Sequence, residues 1–593
     1  MNTKQLLVVC LGALNLSILQ AGGAGAVNFA TVSADDAQRE VSGQTTLSSS
    51  AAMWIWADKT VYRPGDQLTV RGTLKPNNDL YPYTLVAYRQ NNQTGQKFFL
   101  PGGTSEPTDI FGSTLEQGFR ITRLPALNKQ VLIGTGGLVS TSAATVPEEY
   151  GMHTLVLQLR DYTGTRVVKS AYFKIGVVRE FVDAPSEIGA NTTWTSDKAY
   201  RLQGIVQIKG AVLTIEPGTF VIGQPGSQPP SVLLVTNTGR INAVGTRSRP
   251  IIMTSSQPIG SRARGDWGGL ILLGKAPIND AGGALPIEGL PDTPETRFGG
   301  TDVNHSCGSL AYVRVEYAGA QLRPNEETNA FTWGGCGKQT TAHHLQAHYG
   351  FDDSFEWFGG NNDAKYLVGT HGADDYLDVQ IGYTGRIQHV VALANADNSN
   401  RCFEVDNYER DFAARPLGKW SVYNVTCVGN RGATGFDEPD ASAIMIRRGG
   451  AGVYANILAT NWMTGTMTIA NNDAVLANVP NDLTLNGLLA WNNGTGANTI
   501  DGQVAAGFRP FIQNTARNVL FADPMLRRPL EYSDPDFRPM TGSPVFRPGW
   551  VQPPDDGFFD QWANYIGAFG DVDWTEEWTT WAQEEDLKVG NSF

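Results

Sequence analysis

The chain of 593 residues is acidic, with a formal net charge of −13 at pH 7, and only 17% of its residues are charged. A nucleic-acid partner is therefore not expected, because the composition offers no basic surface of the kind that phosphates require. The 67 glycines and the low charged fraction favour short strands and tight turns over helices, and the length is sufficient for several domains.

The first residues have the pattern of an export signal. Lys4 precedes an apolar run over residues 6–19, and small residues follow at 21–26. The run is shorter than the roughly 20 apolar residues of a transmembrane helix, and no later segment is long enough either. We therefore expect a signal peptide over residues 1–26 and no transmembrane segment. A lipid anchor through Cys10 is the alternative, which the lack of a small residue just before it disfavours.

The segment after the signal predicts a linker and then a domain of strands. Residues 27–50 are polar and have the composition of a linker. The next stretch begins MWIWADKTVYRPGDQLTVRGTLK, in which apolar residues alternate with polar ones on both sides of a PGD turn. It ends with HTLVLQLRDYTG and TRVVKSAYFKIGVV, which again read as strands on either side of a turn. Alternation with period two is typical of strands that bury one face. We expect a β-sandwich over residues 51–178.

From residue 201 the pattern changes to short β-branched runs, separated by Gly, Asn and Pro turns about every 20 to 25 residues. A repeat of this length without a helical period predicts a solenoid, whose coils bury their apolar faces only when stacked. We expect a parallel β-helix over residues 201–545, reached through a connecting segment at 179–200. The remaining residues, 546–593, form a Trp-rich tail that is expected to cap the helix.

Four tripeptides in the centre of this region share one pattern, in which a polar residue stands between two apolar ones. They are Phe331-Thr332-Trp333, Phe355-Glu356-Trp357, Leu377-Asp378-Val379 and Phe403-Glu404-Val405. Neighbouring side chains of a strand point to opposite faces, and stacked strands lie about 4.8 Å apart. The apolar residues are therefore expected to face the core, and the central residues are expected to form a column that points outward.

A pair of aspartates precedes two of these tripeptides by the same number of positions. Asp352 and Asp353 are therefore expected to stack on Asp374 and Asp375 in the next coil. Stacked carboxylates repel one another and raise at least one pKa, unless something balances their charge. Three arrangements are compatible with the pattern. The acids hold a calcium ion, or two of them share protons for acid–base chemistry, or nearby arginines pair with them.

The acids at equivalent positions of successive coils, together with nearby arginines, are the candidate binding residues. They are Asp352, Asp353, Glu356, Asp374, Asp375, Asp378, Glu404, Arg386 and Arg401. The expected calcium ligands among them are Asp353, Glu356, Asp375 and Asp378. Arg447 and Arg448 are further candidates for ion pairs with the acids.

Four cysteines remain once Cys10 in the signal is set aside, and an even number in an exported chain suggests disulfides. Cys402 and Cys427 are 25 residues apart, which is about one coil. Cys307 and Cys336 are 29 residues apart, which is one coil with a longer loop. We predict that each of these two pairs forms a disulfide.

The segment HHLQAH contains His343, His344 and His348 in a spacing that a metal site can use. In a strand, however, these three side chains do not all lie on one face. A structural role for the three histidines is therefore the preferred interpretation.

Several longer motifs resemble a large group of exported bacterial proteins that have pectate-lyase-type right-handed β-helices. They include LTIEPGTFVIG, DWGGLILLGKAPIN, SLAYVRVEYAGA and DAKYLVGTHGADDYLDVQIGYTGRIQ. The resemblance covers about residues 200–593, and it implies a right-handed helix and a protein secreted by, or held on the outer surface of, a Gram-negative bacterium. Separately, DKTVYRPGDQLTVRG resembles strands of macroglobulin-type and other immunoglobulin-like domains, which are usually spacers or binding modules.

Because the activity of that group is unsettled, two functions stay open. The first is non-catalytic binding of carbohydrate or of a cell-surface partner, with calcium on the acidic face. The second is a polysaccharide lyase or glycoside hydrolase that uses the same face. Pectate lyases are similar in holding calcium with acids, whereas the order THGADD departs from that of polygalacturonases. Binding is preferred, because no basic residue has an evident position for a catalytic base.

Overall fold

The computed structural model describes residues 52–68, 70–75, 83–99, 119–121, 131–133, 144–145, 149–160, 166–227, 229–323, 326–394, 400–431, 441–494, 519–583 and 587. The expected signal peptide and linker lie outside the described residues. Strands and their connections account for almost all of the described chain, with one short α-helix, α1, at Asn472–Leu476. Within these ranges no helix combines the length and the apolar character needed to cross a bilayer.

The N-terminal part is built from strands of two to eleven residues in two main sheets. Its described strands are β1 (Ala52–Ala57), β2 (Val61–Tyr62), β3 (Gln67–Leu68), β4 (Val70–Lys75), β5 (Tyr83–Asn91), β6 (Lys97–Phe99), β7 (Phe119–Ile121), β8 (Val131–Ile133), β9 (Ala144–Thr145), β10 (Gly151–Arg160) and β11 (Val167–Val177). β10 lies antiparallel to β5 and β11, and β1 lies antiparallel to β4. The two sheets share an apolar core, to which Met53 and Ile55 contribute from β1 and Leu155 and Leu157 from β10.

The rest of the chain supplies the coils and a few short hairpins in their loops. The strands are β12 (Glu180–Asp183), β13 (Glu187–Ile188), β14 (Thr192–Trp194), β15 (Lys198–Leu202), β16 (Ile205–Ile208), β17 (Val212–Ile215), β18 (Phe220–Gly223), β19 (Val232–Val235), β20 (Arg240–Val244), β21 (Ile251–Ser255), β22 (Leu270–Leu273), β23 (Leu285–Pro286), β24 (Arg297–Phe298), β25 (Gly308–Glu316), β26 (Gln321–Arg323), β27 (Glu326–Glu327), β28 (Phe331–Gly334), β29 (Thr341–His348), β30 (Phe355–Phe358), β31 (Asp363–Thr370), β32 (Leu377–Gln380), β33 (Arg386–Leu393), β34 (Phe403–Val405), β35 (Lys419–Val428), β36 (Ser442–Ile446), β37 (Ala451–Thr460), β38 (Gly465–Ile469), β39 (Leu483–Trp491), β40 (Leu520–Phe521), β41 (Leu526–Arg528) and β42 (Asp536–Pro539).

These strands form two long parallel sheets, one of fifteen strands and one of ten. In the central coils the chain alternates between them, so that β29, β31, β33 and β35 belong to the larger sheet and β28, β30, β32 and β34 to the smaller. Each strand pairs in parallel with the corresponding strand of the next coil. This stacking is that of a parallel β-helix and is consistent with the right-handed form that was expected.

Coil stacking begins before residue 201, where the sequence pattern first becomes clear. β12 pairs in parallel with β15, and β13 pairs in parallel with β16. The segment at 179–200, expected as a connection, therefore supplies strands to the first coil. β12, β13 and β14 have only two to four residues and are partly exposed. Their sequences therefore show little of the apolar periodicity by which strands are recognised.

The space between the two long sheets is filled by large apolar side chains that stack from coil to coil. Trp333 stacks on Trp357 with ring centroids 4.7 Å apart, and Phe331 stacks on Phe355 at 5.2 Å. All four rings are fully buried. The apolar positions of the repeated tripeptides therefore face the core, as predicted from their spacing.

Both predicted disulfides are confirmed. The Cα atoms are 5.8 Å apart in Cys307–Cys336 and also in Cys402–Cys427. All four residues belong to the core between the long sheets. The second bond connects the two sheets directly, because Cys427 lies in β35 and Cys402 immediately precedes β34.

Seven long strands of the larger sheet, β25, β29, β31, β33, β35, β37 and β39, each bend at one residue. These residues have a left-handed backbone with φ between 49° and 67°, and they are Tyr312, His344, Tyr366, His389, Asn424, Asn456 and Gly487. The residues on both sides of each one keep the parallel register with the next coil. The seven residues therefore stack into one column, the left-handed column, which divides each long strand into two halves.

The Trp-rich tail lies along the outer face of the larger sheet, across several coils, whereas it was expected to cap the helix. Trp578 packs edge-on to Tyr312 and His344 with centroids 5.7 Å away in both cases. Trp562 stacks on His389 at 5.3 Å. Because the left-handed column presents aromatic side chains on that face, the tail finds its apolar partners along the side of the helix.

Candidate functional site

The predicted column of polar residues is present in the smaller sheet. Thr332, Glu356, Asp378 and Glu404 are direct register partners in the successive strands β28, β30, β32 and β34. Their apolar neighbours along each strand are in the core, so the column faces away from it. Hence the expectation about the order and phase of this column was right.

The column points outward from the core, as expected, but it does not reach solvent. Glu356 is 4% exposed, Asp378 is 9% exposed and Glu404 is 6% exposed. The segments that follow β22 and β34 pack over the same face of the sheet, where Ile278 and Tyr408 cluster with other apolar residues. The first segment contains only the two-residue strands β23 and β24, and the second contains no strand, so no periodicity in the sequence indicates that they cover the acids.

Two groups of three carboxyls approach one another closely enough to hold a metal ion. Asp353, Glu356 and Asp378 form one group, and Asp352, Asp353 and Asp374 form the other. Within each group, one oxygen of every residue lies within 4.8 Å of the others. Asp353 belongs to both groups, so the two candidate sites are adjacent.

The group of Asp353, Glu356 and Asp378 is bounded by neutral donors. Gln380 Nε2 donates to Glu356 Oε1 at 2.7 Å, and Asn329 Nδ2 donates to Glu356 Oε2. Among the described residues, none forms an ion pair with any of these three acids, and Asp378 Oδ1 is buried without a hydrogen-bond partner. No direct ion pair therefore neutralises this group, although the positive charge of Arg447 acts on Asp378 from a longer distance and lowers its pKa.

The neighbouring carboxyls are, by contrast, paired with arginines. Arg401 contacts Glu404 at 3.0 Å and Asp375 at 3.6 Å. Arg447 also pairs with Glu404, and it reaches Asp406 at 3.0 Å. The arginine pairing that the sequence suggested is thus realised at one end of the acid column only.

The whole arrangement is called the acid cluster below. Its carboxyls are those of Asp352, Asp353, Glu356, Asp374, Asp375, Asp378, Glu404 and Asp406. Three guanidinium groups accompany them, those of Arg401, Arg447 and Arg448. The cluster therefore holds five more carboxyls than guanidinium groups in the described chain, and protons or cations must balance those that are not paired.

Arg386, which was expected beside the acids, is elsewhere. It lies in β33 of the larger sheet, and its side chain pairs with Asp363 and with Asp556, the latter at 2.7 Å. The sequence could not separate it from Arg401, because the two residues are only fifteen positions apart and the turn between the sheets falls between them.

Burial dominates the protonation of the unpaired acids. It raises the pKa of Asp353, Glu356 and Asp378 well above the usual carboxyl range, and neighbouring carboxylates raise these pKa values further. Burial likewise raises the pKa of Asp375, although Arg401 opposes it. For Asp352, burial and then Asp374 raise the pKa.

The opposing influences on Glu404 place its pKa near neutral pH. Burial raises the pKa of Glu404 to about 7, despite the opposing attraction of Arg447 and Arg401. A carboxyl with this pKa changes its ionisation near neutral pH, and the charge of Glu404 raises the pKa of Asp378, its neighbour in register.

The geometry of the unpaired group suits calcium. Calcium binds carboxylate oxygens at 2.3–2.6 Å, so two oxygens on one ion are at most about 5.2 Å apart. The oxygens of Asp353, Glu356 and Asp378 satisfy this limit. Among the four expected calcium ligands, Asp375 is the exception, because its side chain contacts Arg401 and belongs to neither group of three.

The three histidines of β29 do not form a metal site. His344 belongs to the left-handed column and stacks between Tyr312 and Tyr366, with centroids 4.3 Å and 4.4 Å away. His348 Nδ1 instead lies 2.7 Å from Thr370 Oγ1. These contacts support the structural interpretation of the HHLQAH segment.

Two contributions to the site were missed from the sequence. Asp406 follows Glu404 by two positions, so it lies on the same face of the strand, and that spacing was available as a signal. Asn329 and Gln380, the amide donors to Glu356, gave no such signal, because amide side chains are common throughout the coils.

Comparison with known proteins identifies the coils. A protein-family model described as a pectate-lyase-like beta-helix domain matches residues 186–508, which is more than half of the chain. The matched range contains every residue of the acid cluster. No curated protein and no solved structure gave a significant match.

Proposed function

Because the chain belongs to the pectate-lyase-like β-helix domain family, we propose that it is an exported protein that binds polysaccharide or another cell-surface component and is stabilised by calcium. The observation that carries the proposal is the buried group of Asp353, Glu356 and Asp378, whose carboxyls approach one another closely and form no ion pair with any described residue. The family relationship supports a polysaccharide as the partner.

Calcium is the preferred ion for physical reasons. Magnesium requires near-ideal octahedral geometry and usually keeps several waters, whereas calcium accepts irregular sets of carboxylate oxygens. The three carboxyls are each at least nine-tenths buried, which leaves little room for retained waters. Calcium is also abundant outside the cell, where weaker sites of this kind bind it at roughly 10⁻⁴–10⁻³ M.

Burial favours binding over cleavage as the activity. A sugar chain on the surface does not reach Glu356, which is 4% exposed. Arg401 is 1% exposed and already pairs with Glu404, so it does not offer a base to a substrate. We infer that the ion and the arginines hold the sheet together, and that the polysaccharide contacts more exposed parts of the helix.

Two further features support an extracellular location. Disulfides such as the two in this core persist mainly in oxidising compartments. The pattern of residues 1–26 is that of an export signal. We propose the outer surface of a Gram-negative bacterium or the surrounding medium, with the N-terminal sheets forming an immunoglobulin-like sandwich that acts as a spacer.

The second candidate is a polysaccharide lyase or glycoside hydrolase. Glu356 and Asp378 are register partners whose carboxyl oxygens lie within 4.8 Å. Retaining glycosidases hold their two carboxyls about 5 Å apart, and this similarity is the observation in favour of an enzyme.

A single panel of polysaccharides separates the two functions. The full chain is mixed with anionic and neutral polysaccharides in calcium and in chelator, and both binding and the release of reducing ends or unsaturated sugars are measured. We expect binding that requires calcium and no products. Products from the wild type that are absent with Asp378→Asn would establish the enzyme instead, and no binding under any condition would refute the polysaccharide partner.

A further inference from the structure

The C-terminal segment makes a regular set of contacts that neither the cluster nor the family relationship explains. Residues 551–582, called the strap below, run across the outer face of the larger sheet. Gln346 of β29, Gln388 of β33 and Asn456 of β37 project toward the strap, and all three side chains are fully buried beneath it.

Each of the three amides binds both main-chain groups of a single strap residue. Asn456 Nδ2 donates to Val551 O at 2.7 Å, and Val551 N donates to Asn456 Oδ1 at 2.7 Å. Gln346 makes the same pair of bonds with Thr580, at 2.6 Å and 2.8 Å.

Gln388 repeats the pattern between these two ends. It accepts from Asp560 N at 2.7 Å and donates to Asp560 O at 3.5 Å. Three coils thus hold three points of the strap by its main chain. Proteins that bind an extended peptide at a sheet edge also hold it through its main chain, with side-chain pockets that supply specificity. Here side-chain amides of the sheet make the main-chain contacts.

Side chains of the strap add the specific part of the contact. Asp560 reaches Lys365 Nζ at 2.8 Å, accepts from Tyr366 Oη at 2.7 Å and lies 3.3 Å from His389 Nε2. Trp574 and Trp578 are buried against the left-handed column. These anchors determine which segment occupies the surface and in which register.

The strap also reaches the N-terminal sheets. Glu577 lies 3.6 Å from Lys174 Nζ, and Glu576 Oε1 accepts from Tyr172 Oη at 2.9 Å. Both partners belong to β11, so the bound segment connects the N-terminal sheets to the coils.

The helix core is complete without the strap. The apolar core between the two long sheets contains no described residue of the strap. Strap residues instead cluster with the outward side chains of the larger sheet. The strap is therefore a layer added to a finished helix, and its main-chain contacts resemble those of a ligand.

We propose that the outer face from Gln346 to Asn456 is a peptide-binding surface, and that its occupant is this chain's own strap, held as a bound peptide. The continuous chain supplies the strap at high effective concentration. The contacts described above suffice to retain it when that connection is cut.

The test cuts the folded chain before the strap. A protease recognition sequence is inserted at Gly542, an exposed turn with φ of 88° and open space around its Cα, and the purified full-length protein is cleaved. We expect the C-terminal fragment to co-elute with the helix in size-exclusion chromatography. Combining Gln388→Met with Asn456→Gly should speed its dissociation at least about tenfold, because four hydrogen bonds are lost.

Glycine is the suitable replacement at Asn456, because the left-handed backbone there, with φ of 58°, is retained without strain. Asn461→Gly is the matched control, since Asn461 has φ of 64° and its amide oxygen accepts from Asn492 outside the strap. Immediate release of the unmodified fragment would overturn the proposal. So would loss of the β-sheet circular dichroism on cutting, or equal retention of the double variant and the control.

Discussion

Asp378 has surroundings that suit a bound cation better than a free carboxylate. It is 9% exposed, and its Oδ1 lacks a hydrogen-bond partner among the described residues. The carboxyls of Asp353 and Glu356 lie within 4.8 Å of it. The negative charges of Glu404 and Asp406 also raise the pKa of Asp378, and Arg447 offsets them in part. Burial and like charge both disfavour ionisation. We therefore propose that at neutral pH the cation-free fold carries an electrostatic cost that a bound calcium ion removes.

Replacing this one residue should therefore have opposite effects in the two states. In chelator, Asp378→Asn should raise the free energy of unfolding by on the order of 1 kcal/mol, because one of three repelling charges is removed. In calcium the variant should be less stable than the wild type, because a ligand is lost. Denaturant unfolding in the two buffers measures both values.

The control for this variant is Asp302→Asn, whose carboxyl is 58% exposed and outside the cluster. A surface change of this kind should alter neither value by more than about 0.5 kcal/mol. Destabilisation of Asp378→Asn by the same amount in chelator and in calcium would contradict the cation interpretation.

The pH dependence follows from Glu404. Its pKa is raised to about 7 in the fold, whereas an unfolded glutamate titrates near 4.3. Between these values the folded state binds more protons, so without calcium the stability should fall as pH rises from about 4.3 to 7. Thermal melting in chelator across this interval checks the sign, and a stability that rises with pH would contradict it.

At the scale of single residues, the sequence predicted the register of the strands and the residues of the core, but gave no indication that the acids are covered. Thr332, Glu356 and Asp378 are neighbours because the period of two along each strand and the coil length together determine their position. Their burial depends on irregular segments that fold back over the sheet. Contacts of that kind leave no periodic trace, so the sequence places the acids in the correct column but does not show that other segments cover them.

The left-handed column is the element that shapes the larger sheet. Its members include Asn424, with φ of 57°, whose Nδ2 donates to Tyr565 O of the strap at 2.8 Å. A left-handed backbone costs other L-residues roughly 1–2 kcal/mol, whereas glycine adopts it freely and asparagine adopts it readily. The column therefore combines a bend in the strand with a contact to the strap.

Two substitutions at Asn424 separate these contributions. Asn424→Gly removes the amide contacts and keeps the bend, and Asn424→Ala removes the contacts and strains the bend as well. We expect the stability order wild type, glycine, alanine, with alanine about 1–2 kcal/mol below glycine. Equal stability of the two variants in denaturant unfolding would show that the bend costs nothing here.

The disulfides connect elements inside the core. All four cysteines are fully buried, so a reductant should not reach them until the chain opens. We expect the bonds to survive reductant under native conditions, and replacement of both Cys402 and Cys427 by alanine to cost about 2–4 kcal/mol. Thiol labelling and denaturant unfolding check the two statements, and rapid labelling of the native protein in reductant would contradict the first.

The elements of the coils were predictable to different degrees. Strands such as β30 and β32 are apolar, regularly spaced and bounded by turns, so the sequence identified them. The left-handed column was not identified, because the residues that occupy it differ from coil to coil, from Tyr312 through His344 to Asn456. Only the stacked structure shows that these residues are equivalent.

At the scale of the whole molecule, different segments of the chain pack over the outer faces of the two long sheets of the β-helix. Irregular segments cover the acid cluster on the smaller sheet, and the strap covers the larger sheet and reaches the N-terminal sheets through Glu577 and Lys174. The sequence indicated the helix and the Trp-rich tail, but not where the tail lies. Long-range placement of this kind depends on contacts between residues some two hundred positions apart, such as Gln346 and Thr580.

Calcium binding to the acid cluster is the central claim, and titration of the metal-free protein with calcium tests it most directly. At a calcium concentration 100 times the dissociation constant, the bound ion adds about 2.7 kcal/mol of stability. The melting temperature of the wild type should therefore rise saturably with calcium and fall again in chelator, with at least one ion bound per chain. A protein that binds no calcium, and whose melting is the same in calcium and in chelator, would contradict the account.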